Sequence, residues 1–141
     1  MNNNIHKIRT KAQALDHIKN NLIKSVIPDF LFFKVKSYKK NSDRIIYKII
    51  KHFELKKCKL AIRSSAFSED EIGETHAGEF ETILNVSSSN DIEIRDAISK
   101  VIKSYQNKNK SNEEKDEFIV QLMLEDIIMS GVVFSRDLNT G

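Results

Sequence analysis

An arginine, two serines, a glycine and a threonine with the chemistry of phosphate binding lie close together in this 141-residue sequence. Arg63 ends a short apolar run and is followed directly by Ser64 and Ser65, whereas Gly78 and Thr82 come after a polar stretch. A guanidinium makes charge-assisted, often bidentate bonds to phosphate oxygens, a glycine lets a backbone N–H approach them closely, and hydroxyl groups add neutral donors. These residue types indicate a candidate polyphosphate site.

The same residues fit a second interpretation, in which a strand is simply followed by a polar surface loop. Their spacing does not match the phosphate-binding P-loop pattern GxxxxGK. It does not match the glycine fingerprint of dinucleotide-binding folds either. The residue types alone leave both interpretations open.

Helices and strands must hold these residues in place, and the apolar periodicity predicts where they lie. Helices are predicted over residues 10–24 with Thr10 as N-cap, over 42–55, and from Asn90 through Tyr105. Strands are predicted over residues 30–35, 60–65, 80–86, 117–124 and 128–134. The polar segments 68–78 and 106–116 are predicted to be loops, the second of them solvated. This order predicts an α+β fold with a mixed or antiparallel sheet and packed helices.

The composition is that of a globular domain, with 40% hydrophobic and 30% charged residues. No apolar stretch approaches the roughly 18 to 20 residues that cross a bilayer, and the N-terminus lacks the apolar segment of a signal peptide. We therefore expect a cytoplasmic protein that makes no membrane contact. Cys58 is the single cysteine and the four histidines show no metal-ligand spacing, so we expect neither a disulfide nor a structural metal.

The net charge of +3 is distributed unevenly along the chain. Residues 1–60 carry 15 Lys and Arg against 4 Asp and Glu, whereas residues 61–141 carry 8 against 16. A basic half can bind a polyanion, but here lysines outnumber arginines by 18 to 5 and no aromatic residues alternate with them as a base-stacking surface requires. We therefore do not expect nucleic acid to be the partner.

Several blocks resemble, in order and spacing, the N-terminal nucleotide-binding domain of the phosphoenolpyruvate synthase and pyruvate phosphate dikinase family. Residues 63–70 are similar to the family pattern R-S-S-A-x-x-E-D, and residues 77–85 to its A-G-x-x-[DE]-T-x-L-N. Further blocks that agree are residues 10–12 with 27–30, residues 119–123, and residues 130–135 with 140–141. The resemblance therefore spans nearly the whole chain.

The resemblance implies an ATP-grasp fold, in which ATP lies between two α+β subdomains. It also implies that the β-phosphate of ATP passes to a histidine on a separate domain, which delivers it to a small-molecule acceptor. We expect residues 1–141 to be the N-terminal part of this ATP-binding domain, an incomplete ATP-grasp-like subdomain without the phosphohistidine and acceptor domains. No catalytic residue is therefore expected in this chain, and no complete reaction from it alone.

Five residues would bind the nucleotide if the resemblance is carried over position by position. Lys11 would contact the phosphates of ATP, and Arg63 would hold the phosphate chain. Gly78 and Thr82 would form the loop over it, and Gln121 would lie beside the adenine. These roles suit the side chains, because a lysine charge and an arginine fork neutralise a polyanion and an amide offers both a donor and an acceptor to a base edge.

Other residues near these blocks leave alternatives open. Met123 either packs on the purine or belongs to the core. Glu69 and Asp70 have the chemistry of metal ligands, but capping a helix or pairing with a cation is the commoner role. His76 stands where the family usually has an aromatic residue, and nothing makes it the phosphocarrier. The family's Mg²⁺ ligands would follow Gly141, so no metal ligand is expected in this chain.

The resemblance leaves the acceptor and the oligomeric state open. Pyruvate is the default acceptor, but the family also includes enzymes that act on glucans, on rifamycins and on the glutamine amide in capsule biosynthesis. A different class of function is a non-catalytic module, either truncated or binding nucleic acid through the basic half.

Overall fold

Four helices and four strands occur in the computed structural model, which describes residues 10–54, 57–67, 81–106 and 112–131. The helices are α1 (Lys11–Ile18), α2 (Val35–Lys40), α3 (Ser42–Phe53) and α4 (Asp91–Gln106). The strands are β1 (Phe30–Lys34), β2 (Lys59–Ser65), β3 (Thr82–Ser87) and β4 (Glu117–Leu122). The predicted α+β class is confirmed.

The four strands form one sheet in the order β1-β4-β2-β3, and each neighbouring pair is antiparallel. Strand β2 is therefore central, with β4 on one side and β3 on the other. Its Arg63 lies opposite Ile119 of β4 and opposite Thr82 of β3. Residues that are far apart in the sequence are thus neighbours across the sheet.

Side chains alternate between the two faces of the sheet, as they must along extended strands. One face carries Leu60, Ile62, Phe118 and Val120, all fully buried in the main core against α3 and α4. We call it the core face. The opposite face, which we call the open face, carries Arg63, Ser65, Glu117, Ile119 and Gln121, and α1 packs against it. Helix α1 is therefore on the other side of the sheet from α3 and α4.

The predicted start of α4 is confirmed by its hydrogen bonds. The side-chain oxygen of Asn90 accepts from the backbone N–H groups of Ile92 and Glu93, at 3.1 and 3.2 Å. Glu93 in turn accepts from the backbone N–H of Ser87 at 2.9 Å. Asn90 thus satisfies two donors that a helix start leaves without partners, and Glu93 ties the first turn of α4 to the end of β3.

Helix α1 is shorter than predicted: it ends at Ile18, whereas the prediction placed its end near Lys24. Asn21 closes a turn there, with its backbone N–H donating to the carbonyl of Ile18 and its side chain to that of His17. Asparagine competes for backbone partners in this way and is a poor helix former. Leu22, the apolar residue at helical spacing that suggested continuation, is 37% exposed, and Ile23 after it is 96% exposed.

The short helix α2 was not predicted. The expected strand over residues 30–35 ends at Lys34, and Val35 begins the helix. The backbone N–H of Val35 donates to the carbonyl of Asp116, and that of Lys36 to the carbonyl of Glu113. These long-range bonds turn the chain at a point where its local sequence favours extension.

One prediction near the end of the chain was wrong within the described residues, and a second fails at one residue. Residues 128–131 of the predicted strand over 128–134 are not in a strand, and the remainder lies outside the described ranges. The segment 106–116 is predicted to be solvated, and Glu113, Glu114 and Lys115 are exposed, but Asp116 is fully buried. Its carboxylate accepts from the backbone N–H groups of Phe67 and Asn112, at 2.9 and 2.6 Å, so it ties the end of β2 to the turn before β4.

Candidate functional site

Arg63 lies between two depressions on the open face. It lines one of about 520 Å³ together with Thr82 and Gln121, and a smaller one of about 220 Å³ together with Lys11. The antiparallel pairing explains this position, because β2 lies between the strands that carry Thr82 and Gln121. The fold thus brings together four residues that are up to 110 positions apart in the sequence.

The larger depression is mostly apolar, and we call it the apolar groove. Apart from Arg63, Thr82 and Gln121, it is lined by Ala61 and by six apolar side chains: Pro28, Leu84, Leu122, Met123, Leu124 and Ile127. A concave apolar surface with a few polar groups at one end is the usual form of a small-molecule site.

The smaller depression, which we call the cationic pocket, is lined by two cationic and three apolar residues. The cationic residues are Lys11 and Arg63, and the apolar residues are Ala14, Leu15 and Ile119. Lys11 is the first residue of α1, whereas Arg63 belongs to β2, so the pocket exists only because α1 packs on the sheet. Two cations on one concavity favour a polyanionic ligand, which would offset their mutual repulsion.

At the N-terminus of α1, two of the first backbone donors are already bonded to side chains. The N–H of Ala12 donates to Ser65 Oγ at 2.9 Å, and the N–H of Gln13 to Thr10 Oγ1 at 3.3 Å. Such N–H groups bind phosphate in many proteins. Here they are already engaged, so an anion in the cationic pocket would depend on the Lys11 and Arg63 side chains.

A family model described as "pyruvate phosphate dikinase, AMP/ATP-binding domain" matches residues 2–141. The chain belongs to this family. No curated protein and no solved structure gives a significant match. Membership of the pyruvate phosphate dikinase AMP/ATP-binding family makes the open face, with its cations and apolar groove, the candidate nucleotide site of this domain.

Gln121 is nearly buried and holds a defined orientation in the dikinase domain. Its Oε1 accepts from Arg63 Nη1 at 3.5 Å, and its Nε2 donates to the carbonyl of Pro28 at 3.4 Å. Both bonds are long, so a ligand in the apolar groove can replace them at little cost. Met123 lines the same groove, and its sulfur accepts from the backbone N–H of Asn85 at 3.1 Å.

Four of the five residues predicted to bind nucleotide lie on these two depressions: Lys11, Arg63, Thr82 and Gln121. Their individual contacts with a nucleotide stay predictions. Gly78, His76, Glu69 and Asp70 lie outside the described residues.

Sequence reasoning missed the residues that fix α1 to the sheet. Glu117 is 2% exposed, and its carboxylate accepts from Thr10 Oγ1 at 2.5 Å and from Gln13 Nε2 at 3.3 and 3.4 Å. Tyr105 of α4 donates its hydroxyl to the carbonyl of Glu117 at 2.7 Å and accepts from the N–H of Ser65 at 3.1 Å. The one sequence signal for this anchor was the charged residue Glu117 at the start of the strongly apolar strand β4.

Neither a membrane segment nor a metal cluster is found in the described parts of the domain. No helix there is long and apolar enough to cross a bilayer. No three His, Cys, Asp or Glu residues there lie close enough to hold a metal ion.

Proposed function

We propose that this chain is the ATP-binding portion of a phosphotransferase similar to phosphoenolpyruvate synthase. The observation that carries the proposal is the position of Arg63, which lines both the cationic pocket and the apolar groove. ATP has the same division, with a polyanionic chain at one end and an aromatic base at the other. The family match supports the proposal, because it concerns an AMP- and ATP-binding domain.

In this proposal the phosphates lie at the cationic pocket and the adenine lies along the apolar groove. Lys11 and Arg63 neutralise the phosphate charge, and the Thr82 hydroxyl next to Arg63 adds a neutral donor. Gly78 completes the loop over the phosphates. Gln121 turns its amide from Arg63 and the Pro28 carbonyl towards the base edge.

The complete reaction in this proposal transfers the β-phosphate of ATP to a histidine on another domain and then to a small-molecule acceptor. Phosphoryl transfer needs positioning and charge stabilisation above all, which is the part that Lys11 and Arg63 would supply. Pyruvate is the default acceptor, and the glutamine amide in capsule biosynthesis is the main alternative. Mg²⁺ would accompany ATP, although no three His, Cys, Asp or Glu residues in the described parts of the chain lie close enough to hold it.

The test is a calorimetric titration of the full-length natural protein with adenylyl imidodiphosphate, AMP and adenosine. We expect affinity to rise with the number of phosphates, because the cationic pocket adds charge-assisted bonds that adenosine cannot make. Inorganic triphosphate should compete with adenylyl imidodiphosphate. Equal affinity for adenosine and the triphosphate analogue, or no binding of either, would contradict the proposal.

A further inference from the structure

We propose that Glu117 is a positioning residue, which holds α1 so that Lys11 faces Arg63 across the cationic pocket. This inference rests on the proposed function, since it assigns Lys11 to the phosphates of ATP. Glu117 does not line the pocket itself. It acts through the first turn of α1.

The first step is the environment of the carboxylate. Glu117 is 2% exposed, and burying a charge is costly unless hydrogen bonds compensate for the lost water. Both of its oxygens accept bonds from α1, Oε2 from Thr10 and both Oε1 and Oε2 from Gln13. A carboxylate at a helix N-terminus is also favoured by the helix dipole. The Glu117 carboxylate thus occupies the anion-binding position at the N-terminus of α1.

The second step is the position of Lys11. The residues beside it in the first turn, Thr10, Ala12 and Gln13, are all bonded to the sheet, Ala12 to Ser65 and the other two to Glu117. The Lys11 backbone therefore cannot shift along the sheet without breaking one of these bonds. Helix α1 has only eight residues, so three bonded residues in its first turn fix a large part of it to the sheet.

The third step connects the network to Arg63. Glu117 lies opposite Ser65 in the pairing of β4 with β2, and Arg63 lies two residues before Ser65 on the same face of β2. Fixing α1 to Ser65 and Glu117 thus sets its distance from Arg63. A loose α1 would leave Lys11 in a range of positions, and charge stabilisation by preformed groups would weaken.

The experiment is a double-mutant cycle with Glu117→Gln and Lys11→Ala in the full-length natural protein, with adenylyl imidodiphosphate as the titrant. The amide of Glu117→Gln has the same size but presents an N–H₂ where Gln13 also donates, so the bond to α1 is disturbed. We expect affinity to fall about tenfold when Lys11 is present, within the range of coupling in one hydrogen-bond network. When Lys11 is alanine, we expect less than a twofold further loss. Adenosine affinity should not change.

A swap variant provides the rescue. In Gln13→Glu/Glu117→Gln the carboxylate moves to α1 and the amide to β4, so a donor again faces an acceptor. We expect most of the tenfold loss to be recovered. Glu54→Gln, at an exposed position after α3, is the matched control and should bind like the unaltered protein.

Two outcomes overturn the inference: an equal loss with and without Lys11, or no loss in Glu117→Gln. If Glu117 had a purely structural role, its replacement would lower the affinity for adenylyl imidodiphosphate equally with and without Lys11. It would also lower the affinity for adenosine. If Glu117→Gln does not fold, Thr10→Ala, which removes the 2.5 Å bond to Glu117, replaces it in the same cycle. Nucleotide binding by the unaltered protein is measured first. If this protein binds no nucleotide, the proposed function is refuted, and this inference is refuted with it.

Discussion

At the scale of single residues, Arg63 has the most consequential position in the domain. It is exposed, it contributes to both depressions of the open face, and its guanidinium is held by Gln121 at 3.5 Å. Among the described residues this exposed guanidinium makes one side-chain hydrogen bond, and a bond of that length adds little to the stability of the fold. Its position is therefore better explained by a ligand than by packing.

Replacing Arg63 with alanine should reduce nucleotide affinity without destabilising the domain. We expect the dissociation constant of adenylyl imidodiphosphate to rise roughly 10- to 100-fold, which is the value of one or two hydrogen bonds to a charged group. The free energy of unfolding should change by less than about 0.5 kcal/mol, since the side chain is exposed. Calorimetry and urea denaturation measure the two quantities.

Arg44→Ala is the matched control for this prediction, because Arg44 is an exposed arginine of α3, on the other side of the sheet. Its nucleotide affinity should equal that of the unaltered protein. Equal affinities of the Arg63 and Arg44 variants would remove Arg63 from the site.

At the scale of elements, one hydroxyl group bonds α4 to both β2 and β4 at the joint between these three elements. The Tyr105 side chain is 1% exposed, and its hydroxyl inserts between Ser65 and Glu117, which are opposite each other in the sheet. It donates to one backbone and accepts from the other. The end of the sheet that carries the α1 anchors is thus closed by a side chain of α4, from the opposite layer.

Tyr105→Phe should destabilise the domain by about 1–3 kcal/mol, because it leaves a buried backbone N–H and a buried carbonyl without their partner while keeping the ring. Urea denaturation monitored by circular dichroism measures this loss. Tyr47→Phe is the control, since Tyr47 on α3 is 63% exposed, and it should change stability little. A loss as small as that of the control would show that the hydroxyl bonds are not important for the joint.

At the scale of the whole molecule, the basic and acidic halves of the chain meet in the fold. Lys36 and Lys39 of α2, in the basic half of the chain, pair with Glu114 and Glu113 of the acidic half. These are exposed pairs, which add little stability. They do show that part of the positive charge of the first half is neutralised by the second half.

Duplex DNA therefore should not compete for the open face. We expect any DNA binding to be weak at 50 mM salt and to vanish at 200 mM salt, because non-specific phosphate contacts are lost as counterions return. Binding of adenylyl imidodiphosphate should persist at both salt concentrations, since it also depends on the apolar groove. Tight DNA binding without nucleotide binding would favour the alternative of a nucleic-acid-binding module.

Much of the secondary structure could be predicted from the sequence, because it depends on local patterns. The helices α3 and α4 follow from apolar residues at helical spacing, and β2 from an apolar run that ends at polar residues. The failures have long-range causes. Val35 begins a helix because a carbonyl 81 positions away accepts its N–H, and Asp116 is buried because it binds Phe67 across the chain.

The sequence by itself determined the fold class, the family resemblance and the residue types of the candidate site, since blocks such as residues 63–66 carry their signal in local order and spacing. Only the tertiary structure decided that Lys11 and Arg63 share a pocket, that Gln121 contacts Arg63, and that Glu117 anchors α1. The physical reason is that strand order and register, which are set by packing over the whole sheet, decide which distant residues become neighbours.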